Sequence, residues 1–179
     1  MIFKEERISS ERIYEGKILN VRRDKVTALK GEAYREIIEH NGAVAMVAIT
    51  DEGNIVLVKQ YRYAAGRVFL ELPAGKIDKG ETDPLAAAKR ELKEETGYTA
   101  EHIQYMGKIN VSVAYSEEVI HLYFMTGLTP GEQCLDEDEA VELIEMPFEE
   151  VYDMAASGKL EDAKTLAALL MAKKLMEEN

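Results

Sequence analysis

Apolar and polar positions change rhythm several times along the chain, and each change marks an element. Ala43–Thr50 is a continuous apolar run, AVAMVAIT, which predicts a buried strand. Asp51-Glu52-Gly53-Asn54 predicts a hairpin turn, and Ile55–Tyr63 the returning strand, with Gln60, Tyr61 and Arg62 at its end. A small-residue turn around Gly66 leads to a third strand, Val68–Leu72, and then to Pro73-Ala74-Gly75. Upstream, Ile13–Leu29 and Ala33–His40 carry alternating and apolar stretches, parted by Lys30-Gly31 and closed by Asn41-Gly42. Residues 1–42 hold few large apolar side chains. They predict a β-rich piece that packs on the main domain, residues 43–179, on a second subunit, or on both. Downstream, His102–Val111 and Val119–Thr126 predict strands around the loop Ser112–Glu118. Gly127–Ala140 is a long acidic loop, Val141–Met146 a last strand, and Pro147–Ser157 a helix ended by Gly158. Leu160–Glu178 is an amphipathic helix with Ala163, Leu166, Leu170 and Met171 on or near one face, and Leu169 beside them. Strands, a helix, strands and two helices predict an α+β fold with a mixed sheet between helices.

The most strongly marked helix lies within Glu71–Tyr98, ELPAGKIDKGETDPLAAAKRELKEETGY. Asp83 suits an N-cap, Pro84 a first helical position and Gly97 the position just past the end. Glu91, Glu94 and Glu95 share one face, at positions i, i+3 and i+4. Leu85, Ala88 and Leu92 occupy the neighbouring face and predict inward packing. Three carboxylates this close repel, and a divalent cation such as Mg²⁺ or Mn²⁺ compensates them most simply. A solvated acidic face paired with Lys89, Arg90 and Lys93 is the plainer alternative. Gly75 lets the backbone turn tightly before the helix, leaving the Ala74 carbonyl free to face a metal.

Composition narrows the function. No apolar run exceeds about seven residues, against about 20 for a membrane span, and the N-terminus MIFKEERISS lacks the apolar core of a secretory signal. Cys134 is the only cysteine, so an intrachain disulfide is impossible; a reducing cytoplasm is expected, with Cys134 a partly buried filler. A net charge of −12 argues against nucleic acid. A small phosphorylated substrate remains open if metal ions and a few arginines supply local positive charge. Arg35 is either half of an exposed strand pair with Glu36 or an arginine placed for a substrate phosphate or ribose. His121, among apolar neighbours, is expected to pack rather than act as a base.

The helix and its approach resemble the Nudix box, G, five residues, E, seven residues, then REUXEEXGU with U apolar. Gly75, Glu81 and Arg90-Glu91-Leu92-Lys93-Glu94-Glu95-Thr96-Gly97-Tyr98 carry the match. Eight residues, not seven, separate Glu81 from Arg90, and Tyr98 replaces an aliphatic residue. The extra residue is expected near Thr82-Asp83, which leaves the glutamate spacing intact and the role of Glu81 open. REIIEHNGAVAMV, QYR and ELPAGKI, in this order, resemble the ADP-ribose pyrophosphatase branch of the Nudix hydrolases.

This resemblance implies a Nudix α/β/α sandwich with an N-terminal β-rich subdomain, and a homodimer in which residues 1–42 pack on, or swap with, the other subunit. It implies Mg²⁺-dependent hydrolysis of ADP-ribose, a small nucleoside diphosphate substrate, to AMP and ribose 5-phosphate. By position, Glu91 and Glu95 would ligate Mg²⁺ with the Ala74 carbonyl, and Glu94 would hold a further ion or a water on the metal. Arg90 would orient these carboxylates. Arg62, and Arg35 from the partner subunit, would meet the phosphates or terminal ribose, with Glu71 shaping that site. The acidic loop would supply the base, Glu137 first and Glu139 second. Where ADP-ribose enzymes carry a Ser-Pro-Gly-like loop, this chain has Ser112-Val113-Ala114, which keeps another nucleoside diphosphate sugar open as substrate. A non-catalytic nucleotide sensor is a further alternative, disfavoured because all three box glutamates are present.

Overall fold

A computed structural model of the chain describes residues 2–135 and 139–178. Contacts gather the chain into two compact units, Met1–Gly42 with Asn110–Val119, and Ala43–Ile109 with Ile120–Asn179. Segment 110–119 groups with the first unit, a grouping the sequence reading did not make.

The first unit is an antiparallel sheet in the order β1 (Arg7–Glu15), β2 (Asn20–Ala28), β3 (Gly31–Glu39). Strand β1 begins well before the pattern at Ile13 suggests. All nine of its residues are exposed, so no burial alternation betrays it. Gly31, at φ 85°, makes the β2–β3 turn. Segment 110–119 joins this sheet through Ile38, whose N–H donates to the Tyr115 carbonyl at 2.7 Å and whose carbonyl accepts from Glu117 N at 2.9 Å. Arg22 reinforces the join, donating to Glu39 at 2.6 Å and to Glu117 at 2.5 Å.

The second unit contains β4 (Ala43–Ala48), β5 (Asn54–Arg62), a 3-10 turn (Tyr63–Ala65), β6 (Arg67–Glu71), β7 (Ala74–Lys76), α1 (Pro84–Thr96), β8 (Thr99–Asn110), β9 (Val119–Thr129), β10 (Val141–Pro147), α2 (Phe148–Ala156) and α3 (Ala163–Glu178). A mixed sheet runs β7-β4-β9-β8, with β4 parallel to β9 and antiparallel to β7; a second sheet runs β10-β5-β6. Strands β4 and β5 do not pair as the predicted hairpin. The turn forms, with Thr50 N–H donating to the Asn54 carbonyl at 2.8 Å, but the strands part into different sheets, and an isolated Ile49–Ile55 bridge just past β4 links them.

Alternation along β4 explains the layering. Val44, Met46 and Ala48 cluster with Ala87, Ala88 and Leu92 of α1, while Ala45, Val47 and Ile49 cluster with Val151 of α2 and Ala168, Leu169 and Ala172 of α3. The strand is buried on both faces and helices cover each, which is why it reads as an unbroken apolar run. The buried face of α3 is Thr165, Ala168, Leu169 and Ala172, and Leu170 is 64% exposed. Of the expected stripe, Leu166, Met171 and the adjoining Leu169 do pack on the core, whereas Ala163 and Leu170 face outward. Among the described residues no helix is long and apolar enough to cross a membrane.

Candidate active site

Helix α1 starts and stops where its caps dictate. Asp83 accepts the Leu85 N–H at 3.0 Å, and Gly97, at φ 77°, donates its N–H to the Lys93 carbonyl. The three glutamates differ more than a shared edge would suggest. Glu95 is buried, with 3% exposure, and its Oε2 accepts the Ala74 N–H at 2.8 Å. Burial pushes the Glu95 carboxyl up to about 8; the Ala74 N–H opposes the rise, and Glu91 and Glu139 add to it. Burial also raises Glu91, against the pull of Arg90 and with repulsion from Glu94 and Glu139. Glu94 is the more exposed.

Gly75 is the floor of this arrangement. A Cβ there would stand 1.8 Å from Glu91 Cδ, so only glycine lets the Glu91 carboxylate lie against β7. Arg90 gathers the acids from the other side. Its Nη1 donates to Glu91 at 2.7 Å and to Glu94 at 2.9 Å, while Nη2 reaches the Lys76 carbonyl at 3.1 Å and Glu81 at 3.3 Å. Glu81 also accepts the Asp78 N–H at 3.2 Å, so despite the extra residue after it Glu81 still meets Arg90.

The acidic loop is strapped across the end of α1. Gln133 Nε2 donates to the Glu95 carbonyl at 2.5 Å, and Cys134 N–H donates to the Glu94 carbonyl at 2.9 Å. A Cβ on Gly97 would stand 2.4 Å from the Gly131 carbonyl oxygen, so the two backbones approach closely there. Sequence reasoning missed Gln133 and Gly131; a glycine in a loop of acids was the only signal. Beyond the strap, Glu139 lies close enough to Glu91 and Glu95 to raise both carboxyls. Glu137 lies outside the described residues. The Cys134 side chain is exposed, not the partly buried filler expected, because its backbone rather than its side chain faces α1.

Arg62 at the end of β5 clasps Glu71 at the end of β6, Nε to Oε1 and Nη2 to Oε2, each at 2.8 Å. Glu71 is almost wholly buried, and Lys164 of α3, another residue the sequence reading missed, donates to it as well. Arg35 lies in the first unit and donates through Nε to Glu5 at 2.9 Å. His121 stands on β9 with Nδ1 3.2 Å from the Tyr105 hydroxyl, and burial lowers its pKa, with Lys108 adding to the effect.

Among the described residues no group of three or more His, Cys, Asp or Glu side chains encloses a metal position. Arg90 holds Glu91 and Glu94, and Ala74 holds Glu95. The donor chemistry still fits a hard divalent cation. Glu95, buried, and Glu91, half-buried, stand one turn apart and repel, and burial raises both carboxyls even with Arg90 on Glu91, so both would gain from further positive charge. A cation beside Gly75 would supply it.

Residues 39–169 match the NUDIX domain family. The chain is 41% identical, over 94% of its length and 92% of the other's, to a methanol dehydrogenase activator from Bacillus methanolicus. It is 40% identical, over 93% of its length and 91% of the other's, to an ADP-ribose pyrophosphatase from Bacillus subtilis (strain 168). A solved structure described as an ADP compounds hydrolase superposes with a TM-score of 0.86, covering 99% of this chain and 97% of that one at 22% identity, and shows the shared fold. With a family match across most of the chain and a box helix whose carboxylates are gathered beside Gly75, the chain belongs to the Nudix hydrolase family.

Proposed function

We propose that the protein hydrolyses the pyrophosphate bond of ADP-ribose to AMP and ribose 5-phosphate, using Mg²⁺, with Mn²⁺ as a substitute. The pairing of buried Glu95 with half-buried Glu91 beside Ala74 and Gly75 carries this reading, and the Bacillus subtilis ADP-ribose pyrophosphatase at 40% identity supports the substrate. Glu91, Glu95 and the Ala74 carbonyl would hold the cation, and Glu94 a further one. When bound, it neutralises charge on the phosphoryl oxygens and lowers the pKa of water. Arg90 keeps Glu91 and Glu94 together. Arg62 presents its guanidinium to the phosphates or terminal ribose, and Glu71 holds Arg62. A loop carboxylate takes the proton of the attacking water as one P–O bond forms and the bridging P–O bond breaks. Glu137 is the first choice by position, and Glu139 the second, supported by its closeness to Glu91 and Glu95.

The same reading includes a cytoplasmic homodimer assembled through residues 1–42, with Arg35 contributed by the partner subunit. The exposed Ile8, Ile13 and Tyr14 on β1 support it, because water-facing apolar side chains on one strand suit a covering surface. A second reading keeps the chemistry and changes the sugar. It is favoured by Ser112-Val113-Ala114, which lacks the proline and glycine that would shape that loop.

Incubation of ADP-ribose with the protein and Mg²⁺, followed by anion-exchange separation, tests the reaction. Equal amounts of AMP and ribose 5-phosphate are expected. Unchanged ADP-ribose, or cleavage at the glycosidic bond, would overturn the proposal.

A further inference from the structure

A run of charged side chains outside the box links α3 to the end of β5. Glu71, 2% exposed, accepts both arms of Arg62. Lys164 Nζ donates to Glu71 Oε2 and, at 3.0 Å, to Asp162 Oδ2. Asp162 Oδ2 also accepts the Thr165 N–H at 3.0 Å and the Thr165 hydroxyl at 2.6 Å. The Leu72 N–H donates to the Thr165 hydroxyl at 3.0 Å, which fixes the end of β6 to the first turn of α3.

Charges alternate along this run, Arg62, Glu71, Lys164, Asp162, and sum to zero. Stability alone explains it poorly. Burying ions costs desolvation, and apolar side chains of similar volume commonly serve stability as well or better. The Thr165–Leu72 bond and the Asp162 cap already dock α3 without any cation. Lys164 adds something else, a second charged partner on the carboxylate that aims Arg62. Nε and Nη2 of Arg62 are spent on Glu71, Nη1 takes no part in that pair, and the side chain is 43% exposed. The direction of the exposed edge is therefore set by where Glu71 sits, and Lys164 sets that from α3.

We infer that Lys164 is a positioning residue of the active site, fixing Glu71 so that Glu71 holds the Arg62 guanidinium in its substrate-facing direction. The inference rests on the proposed role of Arg62 at the substrate phosphates or ribose. It predicts a defect in KM rather than kcat, because the box carboxylates are untouched.

The test is steady-state kinetics on ADP-ribose with Mg²⁺ for Arg62→Ala, Lys164→Met, Lys164→Arg and the Arg62→Ala/Lys164→Met double variant. Arg62→Ala is expected to raise KM. Lys164→Met is expected to raise KM about tenfold with kcat within about twofold, and Lys164→Arg to recover most of the loss. The double variant is expected to match Arg62→Ala alone, since no guanidinium is left to aim. A raised KM in Arg62→Ala with an unchanged KM in Lys164→Met, or multiplied effects in the double variant, overturns the Lys164 inference and leaves the role of Arg62 standing. An unchanged KM in Arg62→Ala overturns the role of Arg62 and this inference with it. Circular dichroism checks folding; if Lys164→Met does not fold, Lys164→Gln replaces it and the same KM outcomes decide.

Discussion

The Ala74 N–H donates to Glu95 Oε2 at 2.8 Å, so a backbone amide of β7 and a carboxylate of α1 meet inside the protein. The contact sets the Glu95 side chain inward, away from the solvent that an acidic helix face would otherwise seek. It also places the backbone at Ala74 and Gly75 against both Glu95 and Glu91.

Glu95→Gln keeps an oxygen able to accept the Ala74 N–H and removes the charge. Its melting temperature is expected within about 5 °C of wild type, since little of the contact is lost. Its kcat is expected to fall at least about a hundredfold, more than the loss usual for residues that only support a metal ligand. A variant with wild-type kcat at limiting Mg²⁺ would remove Glu95 from the metal-holding set.

Gly75→Ala places a Cβ 1.8 Å from Glu91 Cδ, so the carboxylate or β7 must move. The expected result is a rightward shift in the Mg²⁺ dependence of the rate, of about tenfold or more by the same comparison. An unchanged Mg²⁺ titration would mean that the position of Glu91 against β7 does not matter to cation binding.

The clasp around Glu71 predicts an acid limb of stability. Burial alone would raise the Glu71 carboxyl, but the Arg62 fork and Lys164 outweigh it and hold the pKa below the ordinary 4.5. The unfolded chain therefore takes up this proton at a higher pH than the folded protein does. The stabilisation is fully present above about pH 4.5 and is lost as the pH falls through the lower folded value. Urea unfolding of Glu71→Gln is expected to show lower stability than wild type at neutral pH and a shallower decline on acidification. Parallel acid declines in the two proteins would show that Glu71 is not the titrating group.

Ile13 on β1 is 51% exposed in the single chain. If residues 1–42 form the dimer contact, light scattering after gel filtration should give twice the chain mass of 20.1 kDa, and Ile13→Asp should shift it toward one. A single-chain mass for the wild-type protein at micromolar concentration would contradict the dimer.

Much of this was legible in the chain, for identifiable reasons. Helix α1 announces itself because Asp83, Pro84 and Gly97 act locally, each through its own backbone chemistry. The inward turn of Glu95 was not legible, because helical spacing puts it with Glu91 and Glu94 and only the Ala74 N–H separates it from them. The separation of β4 and β5 was hidden because the Asp51–Asn54 turn reads the same whether or not its strands pair. Strand β7 has three residues, Ala-Gly-Lys, too few to show a period. Lys164 sits in the first turn of α3, just after Glu161 and Asp162, where nothing local says that it reaches Glu71, 93 residues away in sequence.

Phosphatase-coupled phosphate release with Mg²⁺, measured across ADP-ribose, ADP-glucose, GDP-mannose, UDP-glucose, NADH and a diadenosine polyphosphate, decides whether the protein is an ADP-ribose hydrolase. ADP-ribose is expected to lead in kcat/KM by at least about tenfold, a preference worth about 1.4 kcal/mol of transition-state binding. A sugar nucleotide in the lead would contradict the ADP-ribose assignment and make Ser112-Val113-Ala114 the first segment to mutate. No turnover of any substrate, with Mg²⁺ or Mn²⁺, would contradict the hydrolytic function itself.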